Sequence, residues 1–132
     1  MIYILHNAAA ILWATLAGLA VGAAWLAASP ARRPATVGEG VALAVTAAVA
    51  EGWFAAILAG ALIVAPVKAG VWTVTLGAAA IIWAGFVLPS VVLTLRSRRL
   101  GWGGAASDAL HWLAVALVQA SVLRLVGVSA GA

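Results

Sequence analysis

Apolar residues run along this chain in four long stretches, separated by short breaks that hold most of the prolines and basic residues. The stretches cover about residues 3–28, 39–65, 69–95 and 107–127. Each is long enough to cross the hydrocarbon of a bilayer, which takes roughly 20 residues of α-helix. All are rich in Ala and Leu, and no alternation of apolar and polar positions competes as a strand pattern. The fold class predicted is all-α: a single domain over residues 1–132, built as an integral membrane bundle of four transmembrane helices.

The breaks support that division. Ser29-Pro30 ends the first stretch, and Ala31-Arg32-Arg33-Pro34 forms a short basic loop whose prolines cannot extend a helix. Pro66 ends the second stretch, while Pro89 falls inside the third. Arg96 to Gly104 reads as a basic, glycine-rich loop, with Ser107 and Asp108 as N-cap candidates for the fourth helix. The tail Val128 to Ala132 is too short to form an element. The first run lacks a basic leader and exceeds a signal-peptide core, so it is read as a retained helix.

Composition sharpens the picture. Of 132 residues, 67% are hydrophobic and 8% charged, against about a quarter charged in soluble domains. A soluble fold of this size has too much surface to hide that much apolar side chain. The net charge of +4 comes from Lys and Arg scattered at the ends of apolar runs. That distribution fits headgroup anchoring and excludes a nucleic-acid partner, which needs a clustered basic face. Arg32, Arg33, Arg96, Arg98 and Arg99 lie on one side, and Lys68 and Arg124 on the other. The bias predicts cytoplasmic basic loops and an N-out/C-out topology.

Small residues recur at every fourth position: Ala10, Ala14, Gly18 and Gly22 in the first helix, and Gly40, Ala44, Ala48, Gly52, Ala56 and Gly60 in the second. Each set stays on one helix face, where close backbone approach drives association in lipid. These faces are predicted to be helix contacts. Trp25, Trp72, Trp102 and Trp112 lie near predicted membrane boundaries, where indoles anchor. Trp13, Trp53 and Trp83 fall nearer the middle, and a buried indole N–H wants an acceptor.

Candidate chemistry is sparse. Glu51 lies roughly 18 Å along the helix from Glu39 at 1.5 Å per residue, near mid-membrane. A carboxylate there costs at least about 2.5 kcal/mol on insertion scales. Counting depth puts Gln119, Trp83, and Thr15 or Gly18 in the same layer, which predicts a Glu51–Gln119 hydrogen bond, with Trp83 as a further partner. Glu51 reads either as a proton or cation site or as neutral helix glue. His111 opens the fourth helix as an interfacial hydrogen-bonding group, or as an axial ligand for haem or a pigment. His6 lies at the opposite face, too far away to share a metal with it. With no cysteine and three dispersed acids, no protein metal site is expected. No nucleophile–base pair, phosphate loop or dinucleotide fingerprint is present, so an enzyme is not expected.

Leu16 to Trp25 followed by Pro30, Trp83-Ala84-Gly85-Phe86-Val87, and Asp108-Ala109-Leu110-His111-Trp112-Leu113 together resemble a family of small bacterial four-helix membrane proteins of unknown function. In that family a glycine-containing first helix ends in a Trp-Tyr-x-Pro-like signature, and a His opens the last helix. Here Trp25-Leu26-Ala27-Ala28-Ser29-Pro30 lacks the Tyr and spreads the motif, and the first loop is shorter. The resemblance implies a four-helix membrane fold in a bacterial inner membrane and carries no activity or site residues. Small multidrug transporters differ, since their acid lies in the first helix. Fluoride channels carry a Thr-Thr-Phe-Ser-type motif that is missing here.

The functional expectation is a non-catalytic accessory subunit of a larger membrane complex, such as a photosynthetic or respiratory assembly. Its partners would be lipid and other membrane subunits. No resident cofactor is expected, although bound lipid fits and a pigment at His111 is an open alternative. The competing expectation is a small oligomeric proton-coupled transporter or channel using Glu51.

Overall fold

The computed structural model describes residues 2–66, 70–99 and 101–130. Four helices long and apolar enough to span a membrane make up nearly all of it, with no strand among the described residues. The chain is an all-α four-helix membrane protein.

The first crossing is α1 (Ile2–His6) followed by α2 (Ala8–Ala28). The single helix expected over 3–28 is interrupted at Asn7, whose backbone sits at φ −106°, ψ 16°. Main-chain bonds still run across the break, from Asn7 N–H to Tyr3 O at 3.0 Å and from Ile11 N–H to Asn7 O at 2.9 Å. The cause is the Asn7 side chain. Its amide N–H donates to Tyr3 O at 2.7 Å and to Ser129 O at 2.8 Å, and its Oδ1 accepts from Ser129 N–H at 2.9 Å. The tail has no regular element, but it is clasped at Ser129 rather than free.

A 3-10 turn over Pro30–Arg32 leads to α3 (Val37–Val64), which starts two residues before the expected 39. Thr36 caps it by accepting from Glu39 N–H at 3.2 Å, while Glu39 Oε2 accepts from Ala35 N–H at 2.9 Å. This is a close variant of the reciprocal capping box.

The third crossing is α4 (Val71–Ile82), a π-helical turn at Trp83–Val87, and α5 (Leu88–Ser97). The expected start at 69, and Lys68, lie outside the described residues. Pro89 has no N–H to give and its ring crowds the carbonyl four residues back. The ladder absorbs this just upstream, where Leu88 N–H bonds to Trp83 O, five residues back.

The last crossing, α6 (Trp102–Val126), begins five residues before the expected 107. Trp102 lies under the Arg96 guanidinium at 4.4 Å, which holds the first turn against the end of α5. Ser107 and Asp108 are therefore inside the helix and cap nothing; Gly101 is the N-cap and supplies no side chain. The helix stops at Gly127, whose φ of +90° is a conformation glycine adopts without a Cβ clash.

α6 is the hub of the bundle, packing most extensively on α2 and also on α3, α4 and α5. Its buried Ala116, Ala120 and Leu123 share one core cluster with Ala10 and Ala14 of α2, Ala55, Leu58 and Ala59 of α3, and Ala79 of α4. Small side chains permit that close approach where lipid leaves no hydrophobic driving force. The third crossing is the least embraced, with only 6% of its most apolar window buried.

The small-residue faces do not zip together along their full length. Gly60 meets the Tyr3 ring, and a Cβ there would lie 3.0 Å from the Tyr3 hydroxyl oxygen; Gly52 faces Thr15 at 3.6 Å, and Ala56 is buried between. Ala48 is half-buried, and by Ala44 the ridge is exposed. Toward Gly40, α2 and α3 part, and Gly18 and Gly22 of α2 turn to α6 as well as to α3.

Candidate functional site in the membrane interior

Where α2 and α3 part, a groove reaches the buried polar groups of the bundle. Glu51, on the inner face of α3, is 3% exposed, and Gln119, on the inner face of α6, is fully buried. Gln119 Nε2 donates to the Glu51 backbone carbonyl at 3.3 Å and to Glu51 Oε2 at 3.4 Å. The structure thus brings together the two groups that depth counting pairs. Trp83 takes no part: its indole N–H donates to Ala109 O at 2.8 Å, tying the π-turn to α6. Thr15 bonds its own helix, to Ile11 O at 2.7 Å.

Two glycines make the room for Glu51. A Cβ on Gly18 would lie 2.0 Å from Glu51 Oε2 and 2.5 Å from Gln119 Nε2, distances no side chain tolerates. One turn along, a Cβ on Gly22 would lie 3.7 Å from Glu51 Oε1 and 3.7 Å from His111 Nε2. The carboxyl therefore lies lengthwise in a slot on α2, one oxygen at each glycine. Glu51 Oε1 and His111 Nε2 both come up to Gly22.

His111 does not open its helix; it sits in the third turn of α6. Its ring stacks on Trp25 of α2, with centroids 4.6 Å apart and planes at 24°, and meets Trp112 at 5.8 Å. Beyond Trp25, Arg32 lies over the indole at 4.5 Å and forms a salt bridge with Asp108. A column of polar and aromatic groups thus descends from the basic end: Arg32 and Asp108, then Trp25 and His111, then Glu51 and Gln119. The Arg32 tip also lies 3.8 Å from the Cβ position of Gly104, so the first connection adjoins the first turn of α6.

A groove of about 490 Å³ opens between α2 and α3 onto this column. Leu19, Leu26, Leu43 and Ala47 form its walls, Glu51 and His111 its polar floor. Two buried atoms in the region have no hydrogen-bond partner, His111 Nε2 and Gln119 Oε1. A larger groove of about 590 Å³ lies between α3 and the third crossing. It holds no comparable chemistry, because its Ser90 hydroxyl already donates to Phe86 O at 2.7 Å.

Comparison of the chain with protein-family models, curated proteins and solved structures gave no match. The functional reading therefore rests on the site itself. Gly22, Trp25, Arg32 and Asp108 belong to it, and sequence reasoning assigned none of them there. Their signal in the sequence is the four-residue spacing of Gly18 and Gly22, which equally fits a packing ridge.

Proposed function

We propose that the chain is a small proton-coupled carrier of the bacterial inner membrane, in which Glu51 exchanges a proton with a solute that enters through the groove between α2 and α3. The observation that carries this reading is the state of the Glu51 carboxyl. Helix glue in hydrocarbon calls for short, mutually satisfying bonds, because each unpaired buried polar atom costs about 1–3 kcal/mol. Here the side-chain bond is 3.4 Å long, Gln119 Oε1 is left without a partner, and the second carboxyl oxygen looks into the groove. An intramembrane acid opened onto a cavity is the arrangement of an exchange site.

The reading gives His111 a place beside Glu51, both side chains facing Gly22, rather than axial ligation of a haem or pigment. The basic end is assigned to the cytoplasm, with both termini outside, so the groove opens in the cytoplasmic half. A bundle this slim needs a second copy to complete a path across the bilayer.

The test uses vesicles holding the purified protein and a trapped pH dye, with amphipathic cations, anions and neutral solutes supplied in turn. Wild type should collapse an imposed pH gradient faster than protein-free vesicles with one solute class, and Glu51→Gln should abolish this while inserting normally. A wild type that moves no protons with any class, or a Glu51→Gln protein that moves as many, overturns the proposal.

One observation favours the accessory-subunit reading. Trp13 and Trp53, near mid-membrane, are 59% and 57% exposed, and neither indole N–H has an acceptor among the described residues. A neighbouring membrane protein would supply one. Stable co-purification with a larger assembly in mild detergent would favour this reading over the carrier.

A further inference from the structure

The groove floor sets a carboxyl group beside an imidazole nitrogen that has no partner. An ionised Glu51 only accepts, and His111 with its proton on Nδ1 presents a lone pair at Nε2. Both atoms stand 3.7 Å from the Cβ position of Gly22, and Nε2 has no partner. The donor nearest the carboxyl is the Gln119 amide, which serves the other oxygen. Arg32, the basic residue beside Trp25, is engaged by Asp108 and by the Trp25 ring. Two converging acceptors call for a ligand atom bearing several N–H groups.

The walls define the rest of the ligand. They are apolar, and the indoles of Trp25 and Trp112 border the floor. Aromatic faces attract organic cations electrostatically. A phosphate-bearing lipid headgroup would instead meet the Glu51 carboxylate as a like charge. The opening lies among Leu43, Ala44 and Thr46, exposed residues of α3, so a ligand arrives laterally from the bilayer.

We infer that this groove binds an amphipathic organic cation whose ammonium or guanidinium head sits at Gly22 between Glu51 and His111, with its apolar tail along α2 and α3. The inference rests on the reading of Glu51 as an exchange site and names the solute class for it. Gly22 is the specificity-determining position, because the absence of its side chain is what admits the head.

The experiment is binding of octylguanidinium to the detergent-purified full chain, against octanol as the neutral probe of equal tail length, followed by calorimetry. Octylguanidinium should bind saturably and at least about tenfold more tightly than octanol, a difference of about 1.4 kcal/mol. Gly22→Ala adds a methyl at ordinary contact distance, so thermal unfolding should be unchanged while octylguanidinium affinity falls about tenfold. Glu51→Gln should lower it by a similar factor, and Ile81→Ala, on the outer face of α4, should leave it intact. Equal binding of the two probes, or a Gly22→Ala protein that binds like wild type, overturns the inference. Binding as expected without proton movement would sink the carrier and leave the binding site standing. Proton movement with a neutral or anionic solute alone would do the reverse.

Discussion

Gly18 and Gly22 differ by one helical turn and have opposite tolerances. At Gly18 a methyl would collide with both Glu51 Oε2 and Gln119 Nε2. Gly18→Ala should therefore force the buried pair apart and destabilise the bundle by about 1–3 kcal/mol, read as a lowered midpoint of thermal unfolding in detergent. Gly22→Ala should not move that midpoint, and the contrast separates a strained contact from a merely apolar substitution. Trp83 offers a second residue-scale check. Trp83→Phe removes the N–H that reaches Ala109 O, and should cost about 1 kcal/mol without altering anything that depends on Glu51. Depth counting could find Glu51 and Gln119 because two polar groups at one level of a bilayer have few other partners. It missed His111 for two physical reasons. The start of α6 was read five residues late, which placed the ring at the interface, and the rotation of a helix with apolar residues all round is not written in its sequence.

At the scale of elements, the boundaries moved wherever a side chain outvoted the apolar pattern. Thr36-Val37-Gly38-Glu39 has the spacing of a capping box, and α3 begins there although the apolar run starts later. Thr36→Ala should cost about 1 kcal/mol and fray the first turn of α3, seen as faster amide exchange at Val37 to Glu39. The π-turn belongs to the same class. Pro89 announces a fault in the ladder, but which upstream residues absorb it depends on where Trp83 finds its acceptor on α6. Pro89→Ala restores the missing donor, so the Trp83–Val87 segment should relax toward regular α-helix, with altered exchange confined to those residues. The fourfold spacing of small residues correctly marked tight faces at Gly52, Ala56 and Gly60. It could not show that the ridge would part near Ala44, because divergence of two helices depends on the third helix wedged between them.

For the whole molecule, the four spans and their order follow from hydropathy alone, since a bilayer admits few other ways to satisfy the backbone. The distribution of packing does not, and it is uneven: all three other crossings pack on α6, yet the third remains far less buried than the rest. The Arg32–Asp108 bridge ties the first connection to α6 at the basic end. It is partly exposed, so Asp108→Asn should lower stability by no more than about 1 kcal/mol, measured by thermal unfolding. Loss of the bridge should also loosen Arg32 from Trp25. The Asn7–Ser129 clasp acts at the other end, across 122 positions of sequence. During synthesis Asn7 enters the membrane with the first helix, whereas its partner emerges only after α6. For most of biogenesis that side chain holds only its local bond to Tyr3 O, and its bonds to Ser129 form only when every span is in place. The clasp therefore closes last: a chain truncated before Ser129 should keep its four spans but leave the Asn7 Oδ1 and one amide N–H without the partners they have in the finished bundle.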